Sequence, residues 1–340
     1  MAKHILLTGG AGFIGSWLVR HLLAQPEAYR VTNLDLLTYA GNPDNLLDVA
    51  SNPRYRFVEG DICDEALVSE LMGDVDIVIN AAAQTHVDRS ISGPGIFIHT
   101  NVLGTQVLLE SARQKKSASL EKFIQISTDE VYGSLGQTGL FTETSALEPS
   151  SPYSSSKASG DLIALSYFKT YGLPVCVTRC SNNYGPNQYP EKLIPLFIQN
   201  ASNDKAVPVY GDGLNVRDWI HVQDHSAAVF AVIKAGRPGE VYNIGASNEQ
   251  NNLWITRKIL EILEKPDTLI RFVEDRLGHD RRYAIDSHKI QTELGWRPAV
   301  DFESGLRQTV QWYLDNPAWI EAVHRRATAE QAKEAHSHGV

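Results

Sequence analysis

The chain has 340 residues, of which 43% are hydrophobic and 21% charged, and a formal net charge of −9. That length supplies ample core for one large domain or two smaller ones, and the acidic balance disfavours nonspecific nucleic-acid binding. No apolar run approaches the roughly 20 residues needed to cross a bilayer, and Met1-Ala2-Lys3-His4-Ile5 lacks the features of a secretory signal, so a cytoplasmic protein with no membrane partner is expected.

Residues 4–7 read as a first strand and run directly into Thr8-Gly9-Gly10-Ala11-Gly12-Phe13-Ile14-Gly15. The spacing Gly9-x-x-Gly12-x-x-Gly15, followed by an amphipathic helix over 13–23, is a variant of the dinucleotide fingerprint. Gly9 permits the tight turn, Gly12 lets backbone N–H groups approach a pyrophosphate, and Gly15 allows close packing of helix on sheet. A second strand over 30–34 leads to Asp35, 20 positions after Gly15. A carboxylate there can accept from ribose hydroxyls or can cap its own loop. Leu36 and Leu37 follow with no adjacent arginine, which favours NAD over NADP. Asp61 after a strand over 55–58, and Ala81-Ala82-Ala83 after a strand over 76–79, stand where the adenine edge and the close approach of a cofactor are expected; small residues there also serve packing.

A helix over 101–113 precedes a fifth strand over 122–126, which ends in Ser127-Thr128-Asp129-Glu130. The Thr128 hydroxyl can bond a substrate oxygen. Asp129 and Glu130 suit an acid and a base on neighbouring atoms if their surroundings separate their pKa values, and suit equally a solvated acidic turn. Tyr153 and Lys157 then form Tyr-x-x-x-Lys at the start of a helix over 152–171, one turn apart on one face. A free phenol titrates near 10, and a neighbouring ammonium and a positive nicotinamide ring favour its phenolate. Ser150-Ser151-Pro152-Tyr153-Ser154-Ser155-Ser156 also reads as a serine-rich linker.

A strand over 175–177 closes this alternating pattern, which predicts an α/β fold of the Rossmann type, a doubly wound parallel sheet covered on both faces. Residues 1–180 are expected to form the NAD-binding domain, with 218–245 returning to it. A smaller interleaved α/β substrate domain is expected over 181–325, with loops at 181–190 and 208–218 and helices near 192–201, 224–235 and 252–264. A polar tail follows over 326–340, its His336 and His338 read as part of a solvated end. Cys63, Cys176 and Cys180 form no CxxC pair and read as buried small hydrophobes in a reducing compartment, with no metal site expected.

At these residues the chain resembles the nucleotide-sugar 4,6-dehydratases, a family of extended short-chain dehydrogenases/reductases. The similarity runs to about residue 315 and includes His86-Val87-Asp88-Arg89-Ser90, Thr128-Asp129-Glu130, Tyr153 to Lys157, Asn182-Asn183-Tyr184-Gly185-Pro186, Arg217-Asp218-Trp219 and Gly278-His279-Asp280-Arg281-Arg282-Tyr283. The resemblance implies a tightly held NAD and a reaction in three parts. Tyr153 takes the proton of the sugar 4-hydroxyl as hydride leaves carbon 4; Glu130 removes the carbon 5 proton while Asp129 protonates the departing 6-hydroxyl; hydride then returns to carbon 6. Lys157 would hold the nicotinamide ribose.

Further NAD contacts implied by the resemblance are Phe13, Ile14, Leu36, Thr38, Ile62, Ala82, Ala83, Thr85, Thr100 and Asn183. Substrate contacts implied in the same way are His86, Thr128, Asn182, Lys192, Leu193, Pro208, Tyr210, Arg217, Asn252, Asp275, Arg276 and His279, and the family forms homodimers. The implied substrate is dTDP-glucose. Gln84-Thr85 replaces the commoner Glu-Ser, and Leu277 a common proline, which keeps UDP-glucose as an alternative. An NAD-dependent nucleotide-sugar 4-epimerase is a further alternative, but it has no use for the Asp129–Glu130 pair.

Overall fold

The structure, a computed structural model, describes residues 2–115, 120–275 and 277–337, with side chains to 327. The chain runs β1 (His4–Thr8), α1 (Phe13–Leu23), β2 (Arg30–Asp35), β3 (Tyr55–Glu59), α2 (Glu65–Leu71), β4 (Ile77–Asn80), α3 (Val87–Ser92), α4 (Gly95–Ile98), α5 (Thr105–Gln114), β5 (Lys122–Thr128), α6 (Pro152–Tyr171) and β6 (Val175–Cys180). It continues through β7 (Asn182–Tyr184), α7 (Leu193–Ser202), β8 (Val207–Tyr210), β9 (Val216–His221), α8 (Val222–Ala235), β10 (Val241–Ile244), β11 (Glu249–Asn251), α9 (Asn252–Ile262), β12 (Ile270–Val273), α10 (His288–Leu294), α11 (Phe302–Asp315) and α12 (Pro317–Ser337).

Strand residues alternate between two apolar layers, as a two-residue period requires. Ile5 and Leu7 of β1 face one core, which is completed by Leu18 and Leu22 of α1 and Val229 and Val232 of α8. Leu6 faces the other, with Val68 of α2, Leu108 of α5 and Ala164 of α6. The result is a parallel seven-stranded sheet in the order β10-β6-β5-β4-β1-β2-β3, covered by helices on both faces. The order reverses between β1 and β4, and a crevice at the carboxyl ends of strands flanking such a switch point is where doubly wound folds bind ligands.

Beneath that crevice a buried polar chain ties the strand ends together. Thr8 Oγ1 donates to Asn80 Oδ1 at 2.8 Å, and Asn80 Nδ2 donates to Gln125 Oε1 at 2.9 Å and to Thr105 Oγ1 at 3.1 Å. A buried ion pair, Arg179 Nε to Asp161 Oδ2 at 2.9 Å, fixes α6 against β6, and Arg179 also donates to the Tyr132 hydroxyl at 3.0 Å.

The seventh strand of this sheet, β10, returns from beyond residue 220, and α8 covers it. The return begins at Val222: β9 instead lies in a three-stranded sheet, β11-β9-β7. A separate core of Ile194, Phe197, Trp219, Ile255, Leu306 and Tyr313 supports this second lobe.

Three expectations are corrected. The loop expected over 208–218 contains strand residues at both ends, because β8 pairs with β12 (Val207 opposite Ile270) and β9 with β11 (Val216 opposite Asn251); Pro208, Gly211 and Gly213 mask that pairing in the sequence. The helix expected over 101–113 is a π-helical segment, His99–Gly104, followed by α5. The tail expected from 326 is helical, since α12 runs through to Ser337; its polar composition removed the apolar stripe by which a helix is usually read.

Candidate active site

The fingerprint glycines do what their positions require. Gly9 has φ of 72°, in the left-handed region, and a Cβ there would stand 2.7 Å from the Ala82 backbone. A Cβ on Gly15 would stand 2.1 Å from the Gly9 carbonyl oxygen, so only glycine lets α1 start this close to β1. Gly12 is the N-cap of α1, and the first-turn N–H groups of that helix face the crevice as an anion site.

A continuous cavity runs from this turn along the sheet. Its wall includes Gly9, Gly12, Phe13, Ile14, Gly15, Asp35, Leu36, Thr38, Asp61, Ile62, Ala82, Ala83, Thr85 and Thr100 at one end, and Thr128, Asp129, Glu130, Tyr153, Lys157, Asn182, Asn183 and Lys192 at the other. One cavity therefore gathers all the residues read as dinucleotide contacts and all those read as catalytic.

Asp35 is buried and accepts from the backbone of Ala11 (2.9 Å) and Leu37 (2.8 Å). It shapes its own loop and faces the cavity, so the two readings of this residue are compatible. Burial raises its pKa, with the two backbone donors opposing. The buried amide oxygen Asn183 Oδ1, of a residue in the cavity wall, is an acceptor with no hydrogen-bond partner among the described residues. The glycine cradle, the carboxylate and this acceptor fit a dinucleotide.

At the far end, the Ser150–Ser156 run is no linker. Ser151 caps α6 by accepting from Ser154 N at 3.1 Å, and Ser154 Oγ accepts from Ser151 N at 3.0 Å, a reciprocal capping box. The cap sets the first turn of α6 and thus Tyr153. Ser151→Ala is expected to cost about 1 kcal/mol of stability and to lower turnover through Tyr153. Urea unfolding measures the first effect, and an unchanged midpoint would show that the cap contributes nothing.

Lys157 Nζ donates to the Ile126 carbonyl at 2.6 Å, and burial lowers its pKa. Burial pushes the Tyr153 phenol well above its ordinary value, and the Glu130 carboxylate adds to this. One of the three Lys157 donors is thus spent on a backbone carbonyl, and the Glu130 carboxylate opposes the phenolate. Tyr153 is held by a side-chain hydrogen bond with Thr128, which opposes the upward shift, and by its ring, edge-on to Phe97 at 6.3 Å between centroids.

The acidic pair is not a solvated turn. Asp129 is buried at the end of β5, and Thr128 Oγ1 donates to its Oδ1 at 3.3 Å, while Oδ2 has no hydrogen-bond partner among the described residues. Burial, then the charges of Glu130 and Asp218, push the Asp129 carboxyl well above the ordinary carboxylate range, against the opposing pull of Arg217. Glu130 is only half-buried. Adjacent carboxyls in unequal surroundings supply a proton donor beside a base.

The substrate residues divide by location. Lys192 Nζ donates to Thr85 O at 3.3 Å across the cavity. Arg217 lies over the Tyr283 ring at 4.2 Å and donates to Asp280 O at 2.9 Å, near enough to act on Asp129. His86 caps α3 and faces Glu191 at 3.7 Å, and Leu193 opens α7.

Pro208 and Tyr210 lie on β8. Tyr210 meets His279 edge-on at 6.3 Å between ring centroids, and His279 pairs with Asp275 at 2.5 Å, so these three gather at the outer edge of the second lobe. Asn252 opens α9, its N–H bound to Asn215 O at 3.1 Å. Arg276 lies outside the described residues.

Several wall residues carry no signal in the sequence, among them Tyr39, Gln188, Tyr189 and Cys180. Tyr39 packs edge-on to Tyr189 at 5.4 Å and lies under the Arg89 guanidinium at 4.0 Å. The contact of Tyr39 with Tyr189 joins loops 150 positions apart, beyond the reach of any local pattern. Cys176 and Cys180 are buried as expected, but Cys63 is only half-buried, because it follows Asp61 in the turn after β3.

Residues 6–309 match the GDP-mannose 4,6-dehydratase family. A curated dTDP-glucose 4,6-dehydratase of Neisseria meningitidis serogroup B is 52% identical, covering 94% of this chain and 96% of its own. The chain belongs to the dTDP-glucose 4,6-dehydratase family. The dehydratase DesIV of Streptomyces venezuelae, solved with NAD and dTDP bound, is 49% identical with a TM-score of 0.92, covering 94% of this chain and all of its own. A UDP-glucose 4-epimerase of Thermotoga maritima, solved with UDP-glucose, shares the fold (TM-score 0.85, covering 92% and 99%) at 32% identity. The dehydratase family and the epimerase thus share a scaffold.

Proposed function

We propose that this chain is an NAD-dependent hydro-lyase that converts dTDP-glucose to dTDP-4-keto-6-deoxyglucose, a deoxysugar precursor. The observation that carries this reading is the pair Asp129 and Glu130, one buried and the other half-buried, beside Tyr153 in a single cavity. NAD, when bound, takes up a hydride from sugar carbon 4 and gives it back at carbon 6.

Tyr153 removes the 4-hydroxyl proton, and Thr128 bonds the same oxygen. The ketone so formed acidifies carbon 5. Glu130 takes that proton while Asp129, in its protonated form, delivers one to the leaving 6-hydroxyl, and carbon 5 regains a proton as hydride returns to carbon 6. Lys157 orients the nicotinamide ribose. The α1 N-terminus, Asp35, Asp61, Thr100 and the other wall residues at that end seat the dinucleotide. Lys192 and Arg217 offer the substrate diphosphate positive charge within an acidic chain; Asn182, His86, Leu193 and the edge formed by Tyr210, Asp275 and His279 extend the substrate contacts.

A homodimer is the proposed assembly, supported by the exposed apolar side chains Leu162 and Tyr171 on α6 and Ile96 and Ile98 on α4. The three unpaired thiols suit a reducing, cytoplasmic setting.

The test is the mass of the product after incubation with dTDP-glucose. Loss of one water is expected; conserved mass would convert the assignment to an epimerase, and no reaction would overturn both. Gln84 lines the cavity next to Thr85, and thymine differs from uracil by a single methyl, worth about 1–3 kcal/mol in an apolar pocket. Turnover of dTDP-glucose is therefore expected to exceed that of UDP-glucose by roughly 10- to 200-fold, and the reverse order would make this a UDP-glucose dehydratase.

A further inference from the structure

Beside the dinucleotide end of the cavity, three ligand-bearing side chains meet that the reaction does not use together. Asp61 and Cys63 lie in the turn between β3 and α2, and His99 opens the π-helical segment before α5. One atom from each, a carboxylate oxygen, Sγ and a ring nitrogen, all fall within 4.8 Å of one another. Cys63 Sγ stands 3.4 Å from His99 Nδ1. Zinc–thiolate and zinc–imidazole bonds of about 2.3 and 2.0–2.1 Å at a tetrahedral angle separate sulfur from nitrogen by about 3.6 Å, so the thiol and imidazole already hold almost the spacing that one ion would impose.

The backbone keeps them there. Asp61 Oδ1 accepts from Cys63 N at 2.8 Å, which fixes the turn, and Gly104 leaves room beside the sulfur, since a Cβ at that position would stand 3.3 Å from it. Two of the three residues are half-buried and His99 is exposed, so an ion from solvent has access and a water can complete the coordination. A thiolate, an imidazole and one carboxylate favour a borderline-soft ion over magnesium or calcium, which take oxygen ligands.

We propose that Asp61, Cys63 and His99 form a binding site for a zinc-class divalent cation, and that an ion there opposes dinucleotide binding because Asp61 also lines the cavity. The second half rests on the dinucleotide reading of that cavity. The first does not. Binding displaces the thiol proton to solvent and forms a metal–thiolate bond, with no change of oxidation state. By linkage, an ion that weakens NAD binding is itself weakened by NAD to the same extent.

The experiment is titration of the purified full-length protein with Co2+, read by the thiolate-to-cobalt charge-transfer absorption, which histidines in the C-terminal segment cannot produce. Wild type is expected to show the band at one equivalent and to lose it on adding Zn2+. Cys63→Ser should abolish the band, and His99→Ala and Asp61→Asn should each weaken binding roughly tenfold or more. No band in wild type, or a band that survives Cys63→Ser with the fold intact by circular dichroism, overturns the site. Unchanged affinity in both His99→Ala and Asp61→Asn overturns the chelate.

In a separate measurement, Co2+ should weaken NAD binding severalfold in wild type and leave it unaltered in Cys63→Ser. Equal NAD affinity with and without the ion removes the antagonism while leaving the cobalt result intact. Failure of NAD to bind at all would instead count against the dinucleotide reading.

Discussion

Replacing Glu130 with glutamine should stop the reaction after its first step. The amide keeps the size of the side chain and cannot take a proton from carbon 5, so turnover is expected to fall by about 10²–10⁴, the usual contribution of a positioned base. Oxidation at carbon 4 does not need Glu130, and the variant should accumulate reduced nicotinamide in a single turnover. Electrostatics adds a second signature. The Glu130 carboxylate raises both Tyr153 and Asp129; with that charge removed both groups titrate lower, so the pH dependence of the first oxidation should move to lower pH. In heavy water the variant should place no deuterium at carbon 5. Full turnover, or label at carbon 5, would remove Glu130 as the base.

Tyr153→Phe should fail one step earlier. Burial disfavours the phenolate form of the hydroxyl, and a bound nicotinamide ring would supply a positive charge that favours it. Without that hydroxyl nothing removes the 4-hydroxyl proton, and nicotinamide reduction should slow by about 10²–10⁴. The phenylalanine ring keeps the contacts with Phe97 and Val87, so stability should fall by no more than about 0.5–1.5 kcal/mol, the loss of the hydrogen bond to Thr128. This separates the variant from one that merely misfolds. Stopped-flow absorbance of the nicotinamide distinguishes the two active-site variants: Glu130→Gln reduces it and stalls, whereas Tyr153→Phe barely reduces it. Undiminished reduction in Tyr153→Phe would remove the assignment.

Much of this protein is legible in short stretches of its sequence, because the chemistry there is local. Gly9, Gly12 and Gly15 occur at fixed offsets because a turn, an anion and a helix contact demand them within seven residues, and the strands of the parallel sheet read as apolar runs because both of their faces are buried. The Tyr153–Lys157 helix is likewise local, whereas its serine cap reads equally as a linker and is identified only by the reciprocal hydrogen bonds of the structure. The amino-acid order alone therefore specifies the nucleotide-binding half, the succession of its elements and the residue types available for chemistry.

What those residues experience depends on packing across the molecule. Nothing in Thr128-Asp129-Glu130 says that Asp129 is shut away with Asp218 and Arg217 from a segment some 90 positions later, and that burial is what parts an acid from its neighbouring base. The strands β8 and β9 are hidden for the same reason, since their partners lie far along the chain. The meeting of Cys63 with His99 is equally out of reach of any local pattern. Spacing records what a chain does over a few residues; burial, charge environment and long-range pairing are set by whichever distant segments pack against them.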